Sequence, residues 1–409
     1  MSEFINNRAQ KINQERVNDL LAVSTGIMHG MDARILMEKY RDAIEHITPY
    51  DMIALEDLQI RMGITPETIK KDLQKVISLF YKGLSKYRWD KPEEDTFLYY
   101  LMLENEAFTF RLNQVKKIVK LYKGRETCDY ELLKEELLPR FRDFLEFNYH
   151  YIKKETILFP FLEKRWKQSR PLSIMWSLHD DIRRKLKLIL HILEDPESTW
   201  KELSKEMGLY FFLVFGMIQK ENLVLFPVAT ENLRKDLWDE MLMESFEYPF
   251  PFIETPPMPH VIVYQTEAER ATIPSTSGEL TVEQALLAFN NLPVDITLVD
   301  EEDKVRFFNK AADRTFPRSP AIIGRSVQLC HPPESVHVVE KIIRSFRAGK
   351  KDTAEFRVHV RGRYILIRYY ALRNDQGVYK GVLEVSQDIT DIQGLEGEKR
   401  LLDWDSDTE

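Results

Sequence analysis

Histidines and acidic residues recur within long helical stretches of this chain, and such side chains can bind a metal ion. Imidazole and carboxylate groups are the ligands expected for iron or zinc. A four-helix bundle can hold these ligands on facing helices, with the side chains pointing inward. The candidates on the predicted helices are Glu104, His150, Glu155, His179, Asp180, His191 and Glu221.

The spacing along one helix does not by itself form a site. His150 and Glu155 are separated by about 140° around a helix of 3.6 residues per turn. The position four residues after His150 would share its face, and Lys154 occupies that position. An alternative interpretation therefore stays open, in which each histidine is a core residue hydrogen-bonded to a neighbour.

A second candidate site is the cluster Cys330-His331-Pro332-Pro333. A cysteine or a histidine can ligate haem iron. The alternative is that Cys330 is a buried apolar residue and that His331 caps a helix that starts near Ser335.

Four long stretches with helical periodicity must position the first set of candidates. They run over Phe97–Tyr122, Cys128–Thr156, Pro171–Leu193 and Trp200–Leu223. Breaks are predicted at Gly124, Pro160, Pro171, Pro196 and Pro227. Helices of this length with short connections indicate an antiparallel bundle.

A short motif is repeated within this predicted bundle. The segment KETILFP at 154–160 is similar to the segment KENLVLFP at 220–227. Both begin with Lys-Glu and end with Phe-Pro. The bundle is therefore expected to consist of two related helical hairpins.

The flanking regions differ from each other in pattern. Up to about Tyr87 the chain predicts short helices, with start signals at Thr48-Pro49 and Thr65-Pro66 and an end signal at His29-Gly30. After a Pro-rich linker, two strands, several helices and three further strands indicate an α+β domain. We predict a helical domain over 1–88, the bundle over 89–247, the linker over 248–279, the α+β domain over 280–393 and a tail over 394–409.

The chain resembles the hemerythrin-like (HHE cation-binding) family, in the arrangement that has an N-terminal helical domain of unknown function and a C-terminal PAS domain. HYIKKETILFPFLEK at 150–164, MWSLHDDIR at 175–183 and KENLVLFP at 220–227 carry the bundle resemblance. LPVDITLVDEEDKVRFFN at 292–309 and GVYKGVLEVSQDIT at 377–390 carry the PAS resemblance.

The resemblance implies a di-iron centre, or another metal, between the four helices. It assigns His150, Glu155, His179 and Glu221 to ligand positions, with Glu104 as a remaining carboxylate on the first helix. Asn105 stands where a first-helix histidine is common, and Met217 where the fourth-helix histidine is expected. The resemblance thus implies a degenerate, carboxylate-rich site for iron, either mononuclear or dinuclear, or for zinc, or a site that has been lost.

For the C-terminal domain, the resemblance implies that a small ligand or cofactor binds between sheet and helices. Haem is one candidate, with Cys330 or His331 as its ligand. PAS domains also transmit signals through flanking helices, and we expect a homodimer.

Composition excludes several other classes. The net charge is −8 and the chain has only two cysteines, which argues against nucleic-acid binding and against a disulfide framework. The longest apolar run, LYFFLVFGMI at 209–218, is too short for a membrane span of about 20 residues. No export signal, phosphate-binding glycine loop or nucleophile constellation is found.

We therefore predict a cytoplasmic sensor or regulatory protein that is not an enzyme and binds neither nucleic acid nor a membrane. It would respond to a metal, oxygen, nitric oxide or redox state and would signal to a partner protein. The first alternative is an iron or haem protein for storage, delivery or scavenging, without a signalling role, and the second is a non-haem iron oxidoreductase.

Overall fold

The computed structural model describes residues 12–122, 129–166, 169–258, 271–275, 278–360 and 362–398. The chain divides into two compact units, one helical and one built around an antiparallel sheet. The predicted fold class, an all-α region followed by an α+β domain, is confirmed. Cys128, part of the predicted linker and most of the predicted tail lie outside the described residues.

Short helices open the helical unit. They are α1 (Gln14–Met28), α2 (Ala33–Lys39), α3 (Arg41–Glu45), α4 (Pro49–Arg61) and α5 (Pro66–Leu84). The predicted start signals are confirmed, because Thr48 and Thr65 accept hydrogen bonds from backbone N–H groups at the starts of α4 and α5. Gly83 permits a close approach, since a Cβ atom there would lie 2.1 Å from the carbonyl oxygen of Ile44.

Four long helices follow and form the bundle. The first is α6 (Phe97–Tyr122) and the third is α10 (Pro171–Glu194). The second and fourth are composite, each containing one π-helical turn. The second consists of α7 (Asp129–Asp143), a 3₁₀ turn (Phe144–Phe147), α8 (Asn148–Lys153), a π turn (Lys154–Leu158) and α9 (Phe159–Glu163). The fourth consists of α11 (Trp200–Lys220), a π turn (Glu221–Leu225) and α12 (Phe226–Asn232), and α13 (Lys235–Ser245) comes after it.

The breaks predicted at Pro160 and Pro227 are wrong. A proline inside a helix lacks an N–H donor, and its ring collides with the carbonyl group four residues earlier. Here each proline is the second residue after a π turn, in which the hydrogen bonds span five residues instead of four. The wider turn accommodates the proline, and the helix continues through it.

The fourth bundle helix is also the most apolar segment. Over Trp200–Asn232 it is long and apolar enough to cross a membrane by length and composition alone, with a mean hydropathy of 1.4 in its best window. Of that window, 61% is buried inside the protein, which is the pattern of a core helix. The N-terminal helices and the bundle share one compact unit, so the boundary predicted at residue 88 stays a prediction.

The second unit contains a hairpin and a five-stranded sheet. Its elements are β1 (Thr272–Ser275), β2 (Gly278–Thr281), α14 (Val282–Asn291), β3 (Asp295–Asp300), β4 (Val305–Phe308), α15 (Val336–Arg347), β5 (Thr353–Val360), β6 (Arg363–Arg373) and β7 (Tyr379–Asp388). The sheet order is β4-β3-β7-β6-β5, and all neighbours are antiparallel. Val299, Val382 and Ile343 are buried where α15 covers the sheet.

Candidate functional site

The first candidate site is centred on His150 in α8, whose imidazole lies between two carboxylates. Nδ1 of His150 lies 2.7 Å from Oε2 of Glu104 in α6, and Nε2 lies 3.1 Å from Oε2 of Glu221 in the fourth helix. All three side chains are fully buried. Both ring nitrogens of His150 are therefore engaged by carboxylate oxygens.

Two lysines occupy the space beside these carboxylates. The Lys153 ammonium group donates to Oε1 of Glu104, and the Lys154 ammonium group donates to Oε1 of Glu221. Burial alone would raise the pKa of Glu221, but Lys154 and His150 outweigh it and hold this pKa below its ordinary value. Glu221 therefore stays ionised, and Asn105 adds a hydrogen bond of 2.7 Å from its Nδ2 to Oε2.

A second buried group lies around Glu155. Nδ1 of His179 in α10 lies 2.7 Å from Oε1 of Glu155, and the Arg183 guanidinium lies 2.9 Å from Oε2. Arg183 also donates to Asp180 over 2.8 Å. Burial, followed by the charges of Lys154 and Arg183, lowers the pKa of His179 well below its ordinary value. His179 is therefore neutral, and within the described residues its Nε2 has no hydrogen-bond partner.

The π turn explains how three consecutive residues all reach buried partners. In a regular helix Lys153, Lys154 and Glu155 would spread over about 200°. Their exposed fractions are only 1%, 0% and 5%. The extra residue of a π turn changes the direction of the side chains at this point, which is why such turns recur at functional sites.

The π turns also revise the predicted repeat, in which Lys154-Glu155 was matched to Lys220-Glu221. The turns begin at Lys154 and at Glu221, each five residues long and each followed by Phe-Pro. Lys154 is therefore the structural counterpart of Glu221, and the two side chains form an ion pair with each other.

The five predicted ligands are thus brought together, but in a form that does not fit a metal ion. Both nitrogens of His150 are occupied by carboxylates, and lysines hold Glu104 and Glu221. Over the ranges that the structure describes, no group of three or more histidine, cysteine, aspartate or glutamate side chains is placed to hold a metal. His191 lies on the surface near the end of α10.

Lys153, Lys154 and Arg183 belong to this site but were not among the residues predicted from the sequence. A signal was available, because Lys153 and Lys154 fall within a helix whose neighbouring positions are mostly apolar. Buried lysines and arginines are rare unless they are paired. Charged residues inside an apolar helix therefore predict buried ion pairs.

The second candidate site lies in the sheet-containing unit, where a small cavity separates α15 from the sheet. Its volume is about 30 Å³, close to the share of one water molecule in the liquid. The lining is largely aliphatic, with three polar side chains. It consists of Val299, Val327, Val339, Ile342, Ile343 and Val382, together with His331, Tyr369 and Glu384.

His331 and Cys330 differ in their relation to this cavity. His331 lines it, and burial, with a smaller effect of Arg318, lowers the pKa of this histidine to about 4. The Cys330 sulfur instead contacts the carbonyl oxygen of Ser326 at 3.7 Å. His331 does not cap the following helix, whose N-cap residue is Ser335.

Comparisons with known proteins agree with this division of the chain. Residues 96–229 match the family described as hemerythrin HHE cation binding domain, and residues 286–390 match a PAS domain family. Both matches confirm the predicted resemblance and its order. No protein with a curated functional description matches the chain.

Several solved structures are also similar to parts of the chain. The C-terminal domain of a Streptococcus mutans protein is 34% identical, with 31% of this chain and 99% of that chain covered and a TM-score of 0.30. The PAS domain of a Colwellia psychrerythraea protein is 21% identical, covering 27% and 98%, with a TM-score of 0.22. The PAS domain of BvgS from Bordetella pertussis is 19% identical, covering 27% and 86%, with a TM-score of 0.23.

Proposed function

We propose that this chain, a sensory or regulatory protein that joins a hemerythrin HHE domain to a PAS domain, receives its input as a small ligand in the PAS cavity. The observation that carries the proposal is the lining of that cavity. His331, Tyr369 and Glu384 bring polar groups to a space that is otherwise aliphatic. A mostly apolar cavity with a few polar groups is the usual form of a small-molecule site.

The size of the cavity restricts the ligand. At about 30 Å³ it admits a ligand of only a few atoms unless α15 moves away from the sheet. Nitric oxide and oxygen, both predicted as inputs from the sequence, are small enough for such a space. Haem is far larger, so His331 could bind it only after a rearrangement of the domain.

The bundle is the weaker candidate for the input site. Iron or zinc there, and with it a metal or redox response, would need carboxylates and imidazole nitrogens that are free to ligate. Glu104, His150 and Glu221 are instead held by one another and by lysines. The same pairing weakens the alternative of iron storage or delivery.

Further parts of the proposal concern the setting in which the protein acts. We propose a cytoplasmic homodimer that is not an enzyme and passes its signal to a partner protein, with no role for nucleic acid or a membrane.

The test is thermal unfolding of the full-length protein with candidate ligands: nitric oxide, haemin, and straight-chain alcohols and amides of two to six carbons. A ligand that binds only the folded state adds about 2.7 kcal/mol at 100 times its Kd. We expect one of the small probes to raise the PAS transition by several degrees. Val382→Ile, which adds a methylene to the cavity wall, should abolish the shift, whereas Val378→Ile at an exposed position should not. The proposal fails if no probe distinguishes Val382→Ile from the unmodified protein.

A further inference from the structure

We infer that side chains of the protein take the place of the metal ion in this bundle, with Lys153, Lys154 and Arg183 supplying the positive charge that the interior carboxylates need. The family match implies a cation-binding site, and here the cations belong to the chain itself. The inference rests on contacts within the helical unit and does not depend on a ligand in the PAS domain.

The carboxylate oxygens at the centre of the bundle are already occupied. Glu104 binds Lys153 at one oxygen and His150 at the other. Glu221 binds Lys154 at one oxygen and His150 at the other. Both oxygens of Glu155 are likewise bound, to His179 and to Arg183. A metal ion would have to displace these donors before it could bind.

The carboxylates of this cluster are paired with cations of the chain itself. In the first group, Lys153 binds Glu104 and Lys154 binds Glu221, with His150 between the two carboxylates. In the second group, Arg183 binds both Glu155 and Asp180. A divalent metal ion would place two further positive charges beside the buried ammonium groups of Lys153 and Lys154, and an unpaired buried charge is very costly.

The histidines offer too few nitrogen ligands. A metal-bound imidazole presents one nitrogen lone pair and donates its other N–H group to a carboxylate or carbonyl oxygen. Both nitrogens of His150 are bound to carboxylates, so neither is free to ligate a metal ion. His179 alone has the required arrangement, with Nδ1 at Glu155. One nitrogen ligand surrounded by ammonium groups does not make a metal site.

The repeated motif locates the internal cation, which is the ammonium group of Lys154. Lys154 and Glu221 start the two π turns and therefore occupy equivalent positions in the two hairpins. Their ion pair joins the hairpins across the middle of the bundle. The lysine ammonium thus links the second and fourth helices, as a metal between the helices would do.

The first test measures metal content and metal dependence of the full-length protein. The protein is purified without chelators, loaded with Fe(II) or Zn(II), desalted and analysed by elemental mass spectrometry, and its unfolding is followed with and without EDTA. We expect fewer than about 0.1 ions per chain and a bundle transition that EDTA does not move. One ion per chain that disappears in both His150→Asn and His179→Asn, together with a lower transition in EDTA, would overturn the inference.

The second test removes the internal cations. In Lys153→Met/Lys154→Met the carboxylates of Glu104 and Glu221 lose their lysine partners, so we expect the bundle transition to fall by more than 5 °C. Zn(II) should then raise the transition of this variant, but not that of the unmodified protein. Lys187→Met, at an exposed position of α10, is the control and should leave both responses unchanged. If Zn(II) instead raises the transition of the unmodified protein as much as that of the double variant, the lysines do not replace a metal. If the double variant fails to fold, the metal content and EDTA response of the unmodified protein still decide the question.

Discussion

The interiors of the bundle and of the PAS domain both contain buried histidines, but the side chains around these histidines differ in charge. In the bundle, His150 is held between Glu104 and Glu221, and the carboxylates also bind lysines. In the PAS domain, His331 lines a small aliphatic cavity, and its pKa is lowered to about 4. The bundle interior is occupied mainly by ion pairs, although His179 there is neutral, while the PAS interior has a neutral imidazole beside a little free space.

This difference separates structural from receptive polar groups. A buried network whose members are all paired gives a unique arrangement of helices, but breaking any pair is expensive. A neutral histidine beside a cavity can accept a ligand without breaking such a network. The comparison therefore supports our proposal that the bundle interior provides stability and that the PAS interior receives the input.

The largest effect is expected from breaking the central pair of the bundle. Lys154→Met leaves Glu221 buried with one cation fewer, which should lower the free energy of unfolding of the helical unit by about 3–5 kcal/mol. Denaturant titration followed by far-ultraviolet circular dichroism measures this loss. Lys187→Met serves as the exposed control, with a change of less than about 0.5 kcal/mol. If Lys154→Met also changes the free energy of unfolding by less than about 0.5 kcal/mol, the ion pair between Lys154 and Glu221 contributes no stability.

The next effect concerns pH and the PAS domain. Since the pKa of folded His331 is about 4 and that of an unfolded histidine about 6.5, the unfolded state binds a proton first as the pH falls. The contribution of neutral His331 to the stability of the PAS domain is therefore complete above pH 6.5. As the pH falls towards 4, the free energy of unfolding decreases by up to about 3 kcal/mol. Calorimetry of the PAS transition between pH 7 and 4 measures it. His331→Phe should flatten this dependence, and exposed His337→Phe should not; equal slopes for the two variants would contradict the assignment.

A smaller effect is expected at the edge of the bundle. Lys220 of α11 donates to both oxygens of Glu56 in α4, over 2.7 and 2.9 Å, and both side chains are buried. Glu56→Gln keeps one acceptor oxygen but removes the charge, so we expect a loss of about 2 kcal/mol. Denaturant unfolding of Glu56→Gln measures this loss, and Glu106→Gln, which changes an exposed side chain, is the control. A loss as large as that of Lys154→Met would show that the central pair is not special.

Much of the fold was predictable, because apolar periodicity and capping residues act locally. The bundle helices, the capping threonines and the strands of the sheet domain follow from such patterns. The continuation of the helices through Pro160 and Pro227 did not follow. It depends on the π turns, and no single residue type marks a π turn in the sequence.

The candidate site was predictable as a set of residues but not as a set of contacts. Glu104, His150, Glu155, His179 and Glu221 do lie in the bundle interior. The sequence suggested one cation shared among them, whereas the structure pairs them with Lys153, Lys154 and Arg183. This pairing follows from the two copies of the repeat, which differ by one residue in length. Counted back from Phe-Pro, Lys154 corresponds to Glu221 and not to Lys220.

The most direct test of the internal cation is a double-mutant cycle on Lys154 and Glu221, measured in EDTA with Lys154→Met, Glu221→Met and the double variant. If the two side chains stabilise each other without a metal, both single variants lose several kcal/mol and the double variant recovers part of that loss, which gives a coupling energy above about 1 kcal/mol. Losses that simply add, or an unmodified protein that is unstable in EDTA until metal is restored, would contradict the account.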